Sequence, residues 1–170
     1  MELSEFVRDV PDFPKAGIGF KDITPLLMNV DAMREAVRQF LERLQGYKID
    51  KVVGIESRGF FFATLLAENL GAGFVPIRKP GKLPFDTIRE TYNLEYGTDS
   101  LEMHVDAIKK GDKVLIHDDV LATGGTAAAA VRLVKGVGGE VVQVNFLMEL
   151  SFLEGQGKLS GHEVVSLLRY

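Results

Sequence analysis

The 170-residue chain contains no cysteine, which excludes disulfides, thiolate nucleophiles and cysteine zinc sites. This fits a reducing compartment, and a cytoplasmic location is the expectation. Long apolar runs are missing too: no stretch approaches the roughly eighteen uninterrupted apolar residues of a membrane span. The first ten residues, MELSEFVRDV, carry two acids within the first five and no apolar run, so no signal peptide is expected. Internal repeats, low-complexity tracts and linkers are lacking. There is no excess of positive charge: 20 Lys and Arg stand against 24 Asp and Glu, a net −4. That argues against nonspecific nucleic-acid binding. What is present is 46% hydrophobic residues, enough to bury the core of a single domain spanning 1–170.

The pattern along the chain is alternating. Residues 2–9 read as a short amphipathic helix, followed by a Pro/Gly-rich ordered loop from Pro11 to Pro25. A helix is expected over about 31–45, where Met33, Ala36, Val37, Phe40, Leu41 and Leu44 make one apolar stripe. Asp31 is placed to cap it and Gly46 to end it. Strands follow at 51–55, 73–78, 113–120, 140–149 and 164–168, with helices at 59–71 and 126–137. Residues 80–100 read as irregular or partly extended. Strands alternating with helices predict an α/β fold, a mainly parallel twisted sheet with helices on both faces. In such sheets ligands bind beyond the carboxyl ends of the strands.

VLIHDDVLATGGT, residues 114–126, lies at such an end. A buried strand delivers Asp118 and Asp119, and then Ala122, Thr123, Gly124, Gly125 and Thr126 lead into a helix. Small residues before a helix present several backbone N–H groups to an anion, aided by the helix dipole. The loop suits a phosphate monoester, and the acids suit ribose hydroxyls or a magnesium shell. A Walker loop would need a lysine that is absent here, and no GxGxxG follows the first strand. The plain alternative is a strand–turn–helix with solvated acids. Glu56, Ser57 and Arg58 occupy a second strand-to-helix junction, where amides can point at an anion. Arg78, Lys79 and Lys82 form a basic cluster around Pro80 and Gly81. Solvated charges and surface salt bridges are the plain readings of these bases, as core packing is of Phe20. His104, His117 and His162 do not cluster. His117 alternates away from Asp118 as a packing residue, and none of the three is assigned to a metal or to catalysis.

The segment 114–126 resembles the phosphoribosyl pyrophosphate signature of the type I phosphoribosyltransferases. DFPKAGIGFKDITPLL, GIESRGF, IRKPGKLP and YNLEYG follow in the order and at separations similar to those of adenine phosphoribosyltransferases, from about residue 11 to Tyr170. The resemblance implies the type I fold with an N-terminal hood over about 1–30. It also implies the purine-salvage reaction of adenine with 5-phosphoribosyl 1-pyrophosphate to give AMP and pyrophosphate. Asp118 and Asp119 would then contact the ribose hydroxyls, and 122–126 would hold the 5′-phosphate. Glu56, Ser57, Arg58, Arg78, Lys79, Lys82 and Tyr96 would face pyrophosphate. A cis peptide is implied at Glu56–Ser57. Phe20 would stack on adenine, with backbone near Gly19 and Lys21 reading its edge and Val120 beside it. Glu95 matches the family's general acid/base; its plain alternative is a solvated loop acid. Many relatives have arginine where Lys21 stands. Mg2+ bound with the activated sugar, and a homodimer, are further implications; no metal is assigned to direct side-chain ligands, and neither nucleic acid nor membrane is an expected partner. Two rivals remain open at this point: a transferase for another base, and a noncatalytic sensor of the activated sugar that binds nucleic acid.

Overall fold

Five strands of largely apolar sequence build the centre of the protein. In the computed structural model, which describes residues 1–94 and 96–170, they are β3 (Lys51–Ile55), β4 (Gly73–Ile77), β7 (Lys113–Leu121), β8 (Glu140–Glu149) and β9 (Val164–Arg169). Their order is β4-β3-β7-β8-β9, and every neighbouring pair is parallel. Successive side chains of a strand point to opposite faces, so each strand feeds two cores. Val52, Leu115 and Leu147 pack with Phe40 and Phe62 on one face. Val53, Val114, Ile116 and Phe146 pack with Ala130 and Leu133 on the other.

The first face is covered by α2 (Val30–Arg43) and α3 (Gly59–Leu70), the second by α4 (Gly125–Gly136). The expected α/β class, with a parallel sheet and helices on both faces, is therefore what the chain forms. α3 ends at Gly71, whose φ of +63° turns the chain so that the Ala72 N–H returns to the Ala67 carbonyl at 2.9 Å. α2 is capped two residues earlier than expected. The Asn29 side chain, not Asp31, accepts from the N–H groups of Asp31 and Ala32, each at 3.0 Å. The helix stops at Arg43, ahead of Gly46.

The N-terminal segment departs from a simple helix. Leu3–Phe6 is one 3-10 turn, and β1 (Arg8–Val10) pairs antiparallel with β2 (Phe20–Asp22), Val10 opposite Phe20. A short helix, α1 (Thr24–Met28), then joins this hood to α2. The segment read as irregular or partly extended contains a hairpin, β5 (Thr87–Asn93) against β6 (Thr98–His104). Its Tyr92, Leu101 and Met103 belong to the α4-side core. Exposed and buried positions alternate only in parts of these strands, and the basic and acidic residues among them obscured the period-2 signal.

Candidate active site

Parallel strands place their last residues on one edge, so β3 and β7 deliver both sequence motifs to the same place. Gly54 pairs with His117 across β3 and β7, which sets the 56–58 turn beside Asp118 and Asp119. The Glu56–Ser57 peptide is cis, as the resemblance implies. α3 begins hard against the acids: a Cβ on Gly59 would lie 2.8 Å from Asp118 Oδ1 and 3.1 Å from the His117 carbonyl. Only glycine permits that approach.

A cavity of about 500 Å³ opens there. Gly19, Phe20 and Lys21 of the hood form one wall, Glu56, Ser57, Arg58 and Lys79 another, and Asp118, Asp119, Val120, Ala122 and Thr126 the floor. Ile18, Leu101, Met148 and Leu150 add apolar surface. Thr123 and Gly124 join Asp118, Ala122 and Thr126 around an adjoining concavity of about 70 Å³ at the start of α4. Gly124 has φ +82°, a left-handed conformation that admits glycine readily. The 122–126 loop thus turns its backbone at the helix N-terminus, as an anion cradle requires.

The charges of the site are paired. Arg58 Nε donates to Asp119 Oδ2 at 2.5 Å, and the guanidinium carbon lies 5.5 Å from the Phe20 ring centroid. Burial works against the Arg58 charge, but Asp119 overrides it and raises the Arg58 pKa. Asp118 Oδ1 accepts from the Asp119 N–H at 2.9 Å. Burial and the neighbouring Asp119 charge push its carboxyl well above the ordinary range. Glu56 accepts from the Lys79 N–H at 2.9 Å, from Arg78 Nε at 3.3 Å and from Lys82 Nζ. Burial favours the neutral acid, yet these donors lower its pKa. Lys79 Nζ pairs with Asp99 and reaches the Tyr92 hydroxyl at 3.2 Å. Glu102 steadies the basic loop from beneath, accepting from Gly81 N–H at 3.1 Å and from Arg89 Nη2 at 2.6 Å.

Most candidates named from sequence therefore meet at one cavity. Arg78 and Lys82 stand behind Glu56 rather than on the cavity lining. Tyr96 is 86% exposed and does not line it. Gly125 faces the Tyr92 ring, and Glu95 lies outside the described residues. His117 is buried, its ring edge-on to Phe40 at 5.2 Å, with Nδ1 2.7 Å from Asn145 Oδ1. Burial lowers its pKa to about 4, which fits packing rather than proton transfer. Met148 and Leu150, at and just after the end of β8, were not singled out in the sequence. The rule that ligands sit beyond strand ends would have pointed to them. Tyr92 and Asp99 carried no such signal, because their meeting depends on the hairpin register.

Among the described residues, no helix is long and apolar enough to cross a membrane. The phosphoribosyl transferase domain profile matches residues 21–160. An adenine phosphoribosyltransferase of Christiangramia forsetii is 65% identical over 170 residues, covering 100% of this chain and 99% of that one. The Flavobacterium johnsoniae protein of the same name is 63% identical, with both chains covered in full. The crystal structure of adenine phosphoribosyltransferase from Thermoanaerobacter pseudethanolicus superposes with a TM-score of 0.96 at 49% identity, covering 99% of this chain and 100% of that one. The Saccharomyces cerevisiae enzyme, solved with an imino-altritol bisphosphate and adenine, gives 0.94 at 44% identity, covering 98% and 96%.

Proposed function

The chain belongs to the phosphoribosyltransferase family, and we propose that its cavity joins adenine to 5-phosphoribosyl 1-pyrophosphate, releasing AMP and pyrophosphate in purine salvage. The observation that carries this reading is the convergence, around one cavity, of an acid pair, a glycine-turned anion cradle, cationic side chains and the aromatic hood residue Phe20. The 5′-phosphate sits on the backbone of 122–126, and Asp118 and Asp119 hold the ribose hydroxyls. N9 of adenine attacks C1 of the sugar as the bond from C1 to the pyrophosphate oxygen breaks, through an oxocarbenium-like transition state. Fixing both reactants in this geometry supplies part of the rate. Arg58 and Lys79, on the cavity lining, meet the charge that grows on pyrophosphate, with Lys82 behind Glu56; Arg58 exchanges Asp119 for it. Glu95 carries the proton that adenine loses.

Adenine stacks on Phe20 among Ile18, Val120, Met148 and Leu150, with backbone at Gly19 and Lys21 pairing its N1 and amino group. Guanine presents the reverse donor and acceptor order, which leaves buried polar groups unpaired. Magnesium would be held chiefly by substrate oxygens and water, with Asp118 and Asp119 on the ribose hydroxyls beside it. When bound, it supplies charge neutralisation at the leaving group. We extend the reading to one domain over 1–170 with 1–30 as the hood, to a cytoplasmic location, and to a homodimer. Sedimentation at twice the 18.7 kDa chain mass supports the dimer; a monomer refutes it.

The test of function is conversion of labelled adenine to AMP with phosphoribosyl pyrophosphate and magnesium, beside hypoxanthine and guanine as competitors. Selective AMP formation is expected. Turnover of another base overturns the reading of the hood, and binding of the activated sugar without turnover points to a sensor.

A further inference from the structure

Tyr92 lies outside the cavity lining, on β5, and is buried. Its ring packs on the start of α4: a Cβ on Gly125 would lie 3.3 Å from Tyr92 Cδ2. Phenylalanine would fill that space equally well, so packing does not account for the hydroxyl. The hydroxyl is where three groups meet. Thr126 Oγ1, from the anion cradle, donates to it at 3.2 Å. Lys79 Nζ, from the wall that also carries Glu56 and Arg58, donates to it at 3.2 Å. The hydroxyl itself donates to Asp99 Oδ2 at 3.2 Å, and Asp99 also holds Lys79. One donor and two acceptor sites are thereby all used.

We propose that Tyr92 is a positioning residue that couples the 5′-phosphate cradle to the pyrophosphate-facing Lys79, with Asp99 as its anchor. The proposal rests on the phosphoribosyl pyrophosphate reading of the cavity. Thr126 and Lys79 both line that cavity, and one phenol oxygen bridges them. An anion that orders Thr126 fixes the phenol, and the phenol fixes Lys79. The second anion then orders less on binding, which is positive coupling without a new contact. Coupling of this kind is reciprocal between the two sites.

The two ends of the activated sugar can be offered separately, as inorganic pyrophosphate and ribose 5-phosphate. Titration calorimetry in magnesium buffer gives the pyrophosphate Kd with and without saturating ribose 5-phosphate, in the unmodified enzyme and in Tyr92→Phe. Mutual repulsion of the anions enters both proteins alike, so the ratio of the two Kd values is the readout. We expect Tyr92→Phe to diminish the tightening by ribose 5-phosphate about fivefold or more, toward the low end of ordinary coupling strengths. A merely structural role would weaken both affinities and leave the ratio unchanged. A ratio within twofold of the unmodified enzyme overturns the coupling. Failure of both anions to bind the unmodified enzyme instead overturns the reading of the cavity on which the coupling rests.

Discussion

Replacing Gly155 by alanine perturbs the anion cradle from behind, without altering any side chain that lines the cavity. Gly155 opens the 3-10 turn Gly155–Leu159 and is buried against the 122–126 loop. A Cβ there would lie 2.3 Å from the Ala122 carbonyl oxygen, 2.9 Å from Leu121 Cδ1 and 3.1 Å from Gly124 N. Ordinary contact begins at 3.4 Å, so the first clash demands a shift of 3.4 − 2.3 = 1.1 Å. Backbone supplies the obstacle, and no rotamer relieves it. Overpacking of this kind costs about 1–3 kcal/mol, which lowers Tm by roughly 2–12 °C in a chain of this length. A displacement of about 1 Å at a reacting geometry costs on the order of a hundredfold in rate. We therefore expect kcat/KM for phosphoribosyl pyrophosphate to fall about a hundredfold, read from initial rates with adenine saturating. Gly157→Ala is the internal control: it lies two residues away with nothing within 4 Å of its Cβ, and should be near neutral. Unchanged kinetics and Tm in Gly155→Ala would refute the reasoning, because the turn would then not set the loop.

Further outcomes follow from the same structure. Asp119→Asn should lower kcat by roughly tenfold to a thousandfold, since it weakens a contact that tightens in the transition state and frees Arg58; near-normal kcat removes the acids from the site. Phe20→Ala should raise the adenine KM about 5- to 150-fold, the value of one base–aromatic stack, while an unchanged KM places the base elsewhere. Glu95→Gln should cut turnover strongly with little change in phosphoribosyl pyrophosphate affinity, and unchanged turnover ends its acid/base role. His117 titrates near 6.5 when unfolded and at about 4 when folded. The unfolded chain then binds more protons across that window, so stability is present above pH 6.5 and is lost as pH falls toward 4, by up to about 3 kcal/mol. Asp118, with its raised pKa, works in the opposite sense. Denaturant unfolding of His117→Gln beside the unmodified enzyme isolates the histidine: the variant should lack its share of the slope, and parallel pH profiles contradict its neutral burial.

The sheet was legible because its strands are short apolar runs bounded by turn residues, and because parallel strands buried on both faces need no alternation. KVVGI and EVVQVNFLME become β3 and β8 within the expected bounds. The hood and the hairpin were not legible in the same way. Arg8–Val10 is a three-residue strand whose partner lies across a Pro/Gly-rich loop, and no local pattern announces a long-range pair of that length. In the hairpin, the charged residues Arg89, Glu90, Asp99 and Glu102 interrupt the apolar positions. They do so for reasons visible only in three dimensions: Glu102 is buried under Gly81 and Arg89, and Glu90 is used by Arg132.

Local motifs named the groups of the site that act through their own backbone turn, such as 122–126 and 56–58. They could not show which opposite charges hold one another, because Arg58 and Asp119 are 61 residues apart, Lys82 and Glu56 26, and Lys79 and Asp99 20. Those pairings change how the cations are to be understood. Arg58, Lys79 and Lys82 are each held by a carboxylate, so the gain from a pyrophosphate is the difference between two charge-assisted partners, not the full value of a new one. A polyanion outcompetes a single carboxylate for several cations at once, whereas a monoanion does not. On the proposed reading, the paired arrangement should favour pyrophosphate over lone phosphate at this wall of the cavity, a selectivity that would reside in the acids Asp119, Glu56 and Asp99 as much as in the bases.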